Sequence, residues 1–120
     1  MLTNKIFCGI VVNEVVYLEY IFNDKRYSWD PNKEKINIQK HGISFIEAVT
    51  VFEDDDVKYI IDDKNSMDED RFLAIGYSDT LKMLSVCHCL RENDELTRII
   101  SVRKATKTET KIYGGDYYGL

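Results

Sequence analysis

Proline occurs once in these 120 residues, at Pro31, and glycine only six times. A chain so poor in breakers is neither collagen-like nor a Pro/Gly low-complexity tract. Cysteine is scarce too: Cys8, Cys87 and Cys89 are an odd number, and two of them stand two residues apart. No secreted disulfide framework has that pattern, so a reducing, cytoplasmic setting is expected. Long apolar runs are missing. Ile10-Val11-Val12 and Val15-Val16-Tyr17-Leu18 are separated by Asn13 and Glu14 and stopped by Glu19, whereas a membrane helix needs about 20 apolar residues. No small-residue cleavage site follows, so no secretory signal is expected. Positive charge is short as well: 16 Lys and Arg face 21 Asp and Glu, a net charge of −5. At face value that counts against a nucleic-acid partner. What is present, 44% hydrophobic, 12% aromatic and 31% charged residues, describes one folded domain.

The lone proline is informative. Asp30-Pro31 fits a helix N-cap followed by proline at the first helical position. The helix should run to Lys40 or His41 and stop at Gly42, a residue suited to a left-handed cap. Ser44-Phe45-Ile46-Glu47 reads as a capping box opening a second short helix, with Phe45, Ala48, Val49 and Phe52 facing the core. After Phe52 the period changes. Residues 57–61, 71–77, 81–90 and 97–102 are rich in β-branched, aromatic and aliphatic side chains and are bounded by short polar clusters, which suits an antiparallel meander. Thr106-Lys107-Thr108-Glu109 is a second capping box, for a last helix from Lys107 to Tyr113. Residues 1–26 read either as a β-hairpin, with strands near 6–12 and 15–22, or as a partly buried helix, and the dominance of valine and isoleucine favours the strands. The order of elements is that of an α+β domain.

Three features carry possible chemistry. Cys87-His88-Cys89 looks like a metal motif, but on a strand its two thiols would lie about 7 Å apart with His88 pointing the other way. No second cysteine pair exists, so no metal site is expected and both cysteines read as buried. His88 has two open readings, a satisfied sheet histidine or a functional one. If Arg91 pairs with Leu96, then His88 pairs with Ile99, and His88, Ser101 and Arg103 share one face. Cys87, Cys89, Ile100 and Val102 would then share the other. Charge is the third feature. Residues 53–70 hold nine acids and two bases, a local −7 that leaves +2 for the rest of the chain. Residues 25–41 sum to +3 and residues 97–113 to +4, so two basic segments flank an acidic one. The acids of 53–56 are expected to face away from any polyanion.

Tyr27-Ser28-Trp29-Asp30-Pro31-Asn32-Lys33, Asn37, Lys40-His41-Gly42-Ile43-Ser44-Phe45 and Glu47-Ala48 resemble the opening pattern of the BrnT toxins. Asp68-Glu69-Asp70-Arg71-Phe72 with Ile75-Gly76 is similar to that family's second segment. Arg98-Ile99-Ile100-Ser101-Val102-Arg103-Lys104-Ala105-Thr106, followed by Glu109 and Tyr113, is similar to its last. The resemblance covers about residues 27–113. It implies a RelE-like α+β fold, with N-terminal helices and a C-terminal helix packed on a mainly antiparallel sheet. It also implies a ribonuclease toxin of a type II toxin–antitoxin system that inhibits translation. The partner implied is a BrnA-like antitoxin that blocks the toxin and carries the DNA-binding part, so promoter DNA is met only through the complex. On this reading residues 1–26 are an extension, 27–113 the toxin domain and 114–120 a flexible tail.

The residues permit such chemistry without a metal or cofactor. In-line attack of a 2′-OH needs a base, an acid for the leaving oxygen and cations on the crowded phosphorane. Arg71, Arg98 and Arg103 are the candidates for the cations, because guanidinium forks match phosphate oxygens and stay charged. His88 is the candidate acid or base. Glu109 is an alternative base, although its capping box already accounts for it. Lys33, Lys40, His41, Lys104 and Lys107 are candidates for RNA contacts. The competing reading is a non-catalytic module that keeps the fold and only pairs with a DNA-binding partner. Direct DNA binding by the two N-terminal helices is a weaker third.

Overall fold

Asp30 and Pro31 open the first helix as their chemistry requires. In a computed structural model of the chain, which describes residues 5–12, 15–65 and 69–115, the Asp30 carboxylate accepts a hydrogen bond from the Asn32 amide at 2.8 Å. Helix α1 (Pro31–His41) ends at Gly42, whose φ of 71° is left-handed and whose N–H donates to the Ile38 carbonyl at 2.8 Å. Helix α2 (Phe45–Val51) is capped by Ser44, which accepts from the Glu47 amide at 3.1 Å. The expected capping box is only half made there. The Glu47 carboxylate instead takes the hydroxyls of Ser78 and Thr80 at 2.8 and 2.6 Å, two charge-assisted bonds that outweigh one amide. Glu34 of α1 accepts a different donor of that first turn, the Phe45 amide, at 2.8 Å. Helix α3 (Lys107–Tyr113) has the full reciprocal box of Thr106 and Glu109.

Among the described residues seven strands form one sheet: β1 (Lys5–Val12), β2 (Val15–Phe22), β3 (Lys25–Trp29), β4 (Lys58–Ile61), β5 (Phe72–Tyr77), β6 (Met83–Arg91) and β7 (Leu96–Lys104). Their spatial order is β1-β2-β3-β7-β6-β5-β4, and every neighbouring pair is antiparallel except β3 with β7. Strand β3 was not expected from the sequence. Asn23 and Asp24 both adopt positive φ, 50° and 63°, the two-residue turn that reverses a twisted hairpin, and the chain returns along β2 before entering α1. Residues 13–14, where the first expected turn falls, and the tail from 116 lie outside the described residues.

The core lies between one sheet face and helices α1 and α2. Trp29, Tyr27, Phe45, Val49, Leu84, Val86 and Val102 are all buried in it, and Trp29 meets Phe45 edge to face at 6.0 Å. Helix α1 reaches this core by an unusual route, since its one buried residue is Asn37. Strand β3 pairs with β7 only as far as Ser28 and Arg98. Beyond that point, among the described residues, β7 keeps β6 on one side but pairs with no strand on its β3 side, and α1 takes that place. Asn37 Oδ1 accepts the Val102 amide at 2.9 Å and its Nδ2 donates to the Ile43 carbonyl at 3.0 Å. Ile36 and Ile38, on either side of it, are exposed.

Candidate active site

Strands β6 and β7 pair Arg91 with Leu96 and His88 with Ile99, the register read from the turn. Between Cys87 and His88 the register then shifts. Cys87 pairs with Ser101 and Ser85 with Arg103, so Ile100 is an extra residue, a β-bulge. One added residue inverts the alternation of everything beyond it. Ser101 and Arg103 therefore share the face of Cys87 and Ser85, and His88 points to the opposite face. The expected grouping of His88 with Ser101 and Arg103 is overturned by this bulge. Val102 likewise joins Val86 in the core rather than Cys87. Both Cys87 and Cys89 are buried free thiols.

The face of Cys87 carries a cleft of about 460 Å³. Arg71, Arg103 and Lys64 bring positive charge to it, while Asp62, Asp63 and Glu109 bring negative charge. The acidic stretch thus does not lie wholly apart from the basic segments. Arg103 and Glu109 form a two-pronged ion pair at 2.8 and 2.9 Å. The Thr106 amide donates to the same Glu109 carboxylate at 2.9 Å. Burial pushes the Glu109 carboxyl up, but the bonds from Arg103 and Thr106 outweigh it and hold the group below the usual carboxylate range. Glu109 is therefore ionised and already serves as both cap and counter-ion. Burial, together with Asp62, pushes the Cys87 thiol up to about 11, so it stays protonated and donates to Asp62 Oδ2 at 3.5 Å. Ser85 is 1% exposed, and its hydroxyl, which lines the cleft, has no hydrogen-bond partner among the described residues.

A second groove, of about 260 Å³, opens beside the cleft. Lys33, Lys40 and His41 of α1 line it, and it shares Ile100 and Ser101 with the cleft. The docking of α1 on the open stretch of β7 and the bulge at Ile100 thus join the mixed-charge cleft and the basic groove into one track. The structure brings Arg71, Arg103, Glu109, Lys33, Lys40 and His41 to this track. Lys104 and Lys107 are exposed but line neither part. Arg98 also stands apart: its Nε donates to Ser28 Oγ at 3.2 Å, and its guanidinium lies 3.8 Å from the centre of the Tyr17 ring. Asp62, Ser85 and Asn37 escaped sequence reasoning. Only Asn37 had a signal, its place in the family-like opening segment.

His88 is 3% exposed and boxed by rings, with Phe52 at 4.9 Å, Tyr59 at 5.9 Å and Phe72 at 6.0 Å. Its Nδ1 meets the Val86 carbonyl at 3.1 Å. Burial outweighs that bond and pulls the imidazole below its ordinary value of 6.5. An unfolded chain then binds a proton that the folded one refuses, so stability is full above pH 6.5 and falls as the pH drops below it. His88→Phe is expected to flatten that part of a stability–pH profile measured by urea unfolding. A profile as steep as the parent's would show that another group sets it.

Among the described residues, no helix is long and apolar enough to cross a membrane, and no group of three or more His, Cys, Asp or Glu side chains is placed to hold a metal ion. No curated protein matches the chain with significance. The crystal structure of the ribonuclease toxin BrnT from Brucella abortus does match, with 27% sequence identity and a TM-score of 0.50, covering 66% of this chain and 94% of that one. The family model for the ribonuclease toxin BrnT of type II toxin–antitoxin systems matches residues 29–109, a span holding α1, α2, strands β4 to β7 and every residue of the cleft. On that match the chain belongs to the BrnT family of type II toxins.

Proposed function

We propose that this chain is an active endoribonuclease that cuts RNA without a metal ion, inhibits translation in the cytoplasm, and is neutralised by a BrnA-like antitoxin. The observation that supports it most is the union of Arg71 and Arg103 in one cleft that continues into the Lys33, Lys40 and His41 groove. A single strand of RNA lying along the track would meet lysines on its backbone and arginines at one phosphate. Guanidinium groups fixed in a half-buried cleft supply the charge that a phosphorane needs. Arg103, oriented by Glu109, holds the phosphate with Arg71, and the buried Ser85 hydroxyl donates to one of its oxygens. The ionised Glu109 carboxylate, which lines the same cleft, accepts the 2′-OH proton, and the leaving 5′-oxygen takes its proton from water. A RelE-like ancestry and a DNA-binding role for the antitoxin belong to the same proposal.

The test is direct. Purified chain incubated with RNA in excess EDTA should leave 2′,3′-cyclic phosphate ends, the product of 2′-OH attack. Ser85→Ala should be at least as stable as the parent, because it removes an unpaired buried hydroxyl. It should nevertheless raise KM for RNA by about three- to tenfold, a pattern that a purely structural serine would not give.

The second reading, a non-catalytic module, is favoured by one observation: Glu109 occupies both prongs of Arg103. An intact chain that neither cuts RNA nor slows growth, yet still binds its antitoxin, would establish it.

A further inference from the structure

Strand β6 has a second outlet. On the face of His88, opposite the cleft, α2 stops at Val51 and leaves part of the sheet uncovered. Phe52, Tyr59, Phe72 and Leu90 surround an apolar pocket of about 360 Å³ there. Tyr59 is 54% and Leu90 39% exposed, although each belongs to a patch that water solvates poorly. The pocket runs into a neighbouring groove of about 510 Å³ with a charged rim. Two cations stand on that rim, and both are already neutralised. Lys25 pairs with Glu53 at 3.2 Å, and Arg26 pairs with Glu19 at 2.6 Å and Glu92 at 2.9 Å. The rim carboxylates of Asp24, Asp94 and Glu95 are exposed and form no ion pair among the described residues.

We propose that this groove is the docking site for a basic segment of the antitoxin, anchored by one large apolar side chain in the pocket of Phe52, Tyr59, Phe72 and Leu90. The proposal rests on the family reading for the partner's identity only; the site itself is argued from its surface. The apolar pocket has the size and the ring-lined walls of an anchor site. The unpaired acids of its rim select the sign of what flanks the anchor. They repel a phosphate backbone, so a nucleobase is the wrong guest even though the walls are aromatic. They attract lysine or arginine, chiefly by speeding encounter. A toxin held this way is gripped on the side away from its RNA track, so the partner need not place its own acids in the cleft to bind tightly.

The experiment measures binding of the antitoxin encoded by the adjacent reading frame to the full chain, by calorimetry at low and at 1 M salt. Tyr59→Asp and Leu90→Asp alter exposed side chains, and each should weaken binding by at least about thirtyfold at both salt concentrations. Asp94→Lys with Glu95→Lys should weaken it by about tenfold at low salt, and the gap should close at high salt. Lys111→Glu, an exposed change on α3, should bind like the parent. If the parent binds and the Tyr59 and Leu90 variants bind equally well, the docking site is wrong and the family reading stands. If the parent does not bind at all, the docking site and the proposed antitoxin partner both fall. If sedimentation shows the parent alone to be a dimer that Tyr59→Asp dissociates, the patch is a self-interface and the proposal is overturned.

Discussion

Arg103→Ala is expected to lose RNA cleavage by about a hundredfold or more, the usual cost of removing one fixed donor from a developing charge. The same change has a second effect that identifies it. Glu109 is buried and keeps its charge because Arg103 and Thr106 hold it. With Arg103 gone, the largest of the interactions that hold the carboxyl down is lost, and the carboxyl rises. The parent's Glu109 contribution is fully present above pH 4.5 and is lost as the pH falls below it. The variant loses the Arg103 share of this contribution, so its stability depends less on the charge of Glu109. The stability gap between the two proteins should therefore be widest near neutral pH and shrink as the pH falls through the carboxylate range. At neutral pH it should be about 2 kcal/mol, less than for a fully buried pair, because the Arg103 side chain is 38% exposed. Urea unfolding at pH 7 and pH 4 measures both. A gap that does not depend on pH would mean that Glu109 does not sense Arg103.

Asn37→Leu should be the most damaging change outside the apolar core. It fits a helix by propensity, and it would look harmless on a surface. Here it orphans the Val102 amide and the Ile43 carbonyl together, a cost on the order of 3 kcal/mol. In a domain of this size the melting temperature should drop by roughly 10 °C or more. Cleavage should weaken as well, even at temperatures where the variant is folded. Lys33, Lys40 and His41 ride on α1, and Asn37 is the buried bond by which α1 holds β7. A variant that melts like the parent would show that α1 is held by its ends alone.

These two residues also mark how far the sequence could be read. Caps were legible because they are local: Asp30-Pro31, Gly42 and the Thr106 to Glu109 box each declare themselves within four residues, and the helices begin and end where those residues say. The strands from β4 onward were legible for a similar reason, their β-rich runs being cut by short polar turns. Membership of the BrnT family was legible from three collinear segments. What could not be read is what depends on partners far along the chain. Asn37 bonds to an amide 65 positions away. Glu47 abandons its local cap for hydroxyls 31 and 33 positions away. The Arg103–Glu109 pair was hidden because the capping box seemed a sufficient reason for Glu109. The side on which His88 lies turned on a single bulged residue, which no pattern of polar and apolar residues announces.

That residue, Ile100, works as a half-period phase slip in β7. Up to Ile99 the strand keeps time with the core, and after the slip it keeps time in antiphase, so Val102 returns to the core while Ser101 and Arg103 fall on the other side. Shortening the chain by Ile100 alone would leave every contributing residue in the sequence and exchange their destinations. Arg103 would be carried across the sheet to the side of the His88 rings, and Val102 would surface in the cleft. A polar cleft and a core are here superposed on one strand, separated by the timing of a single residue.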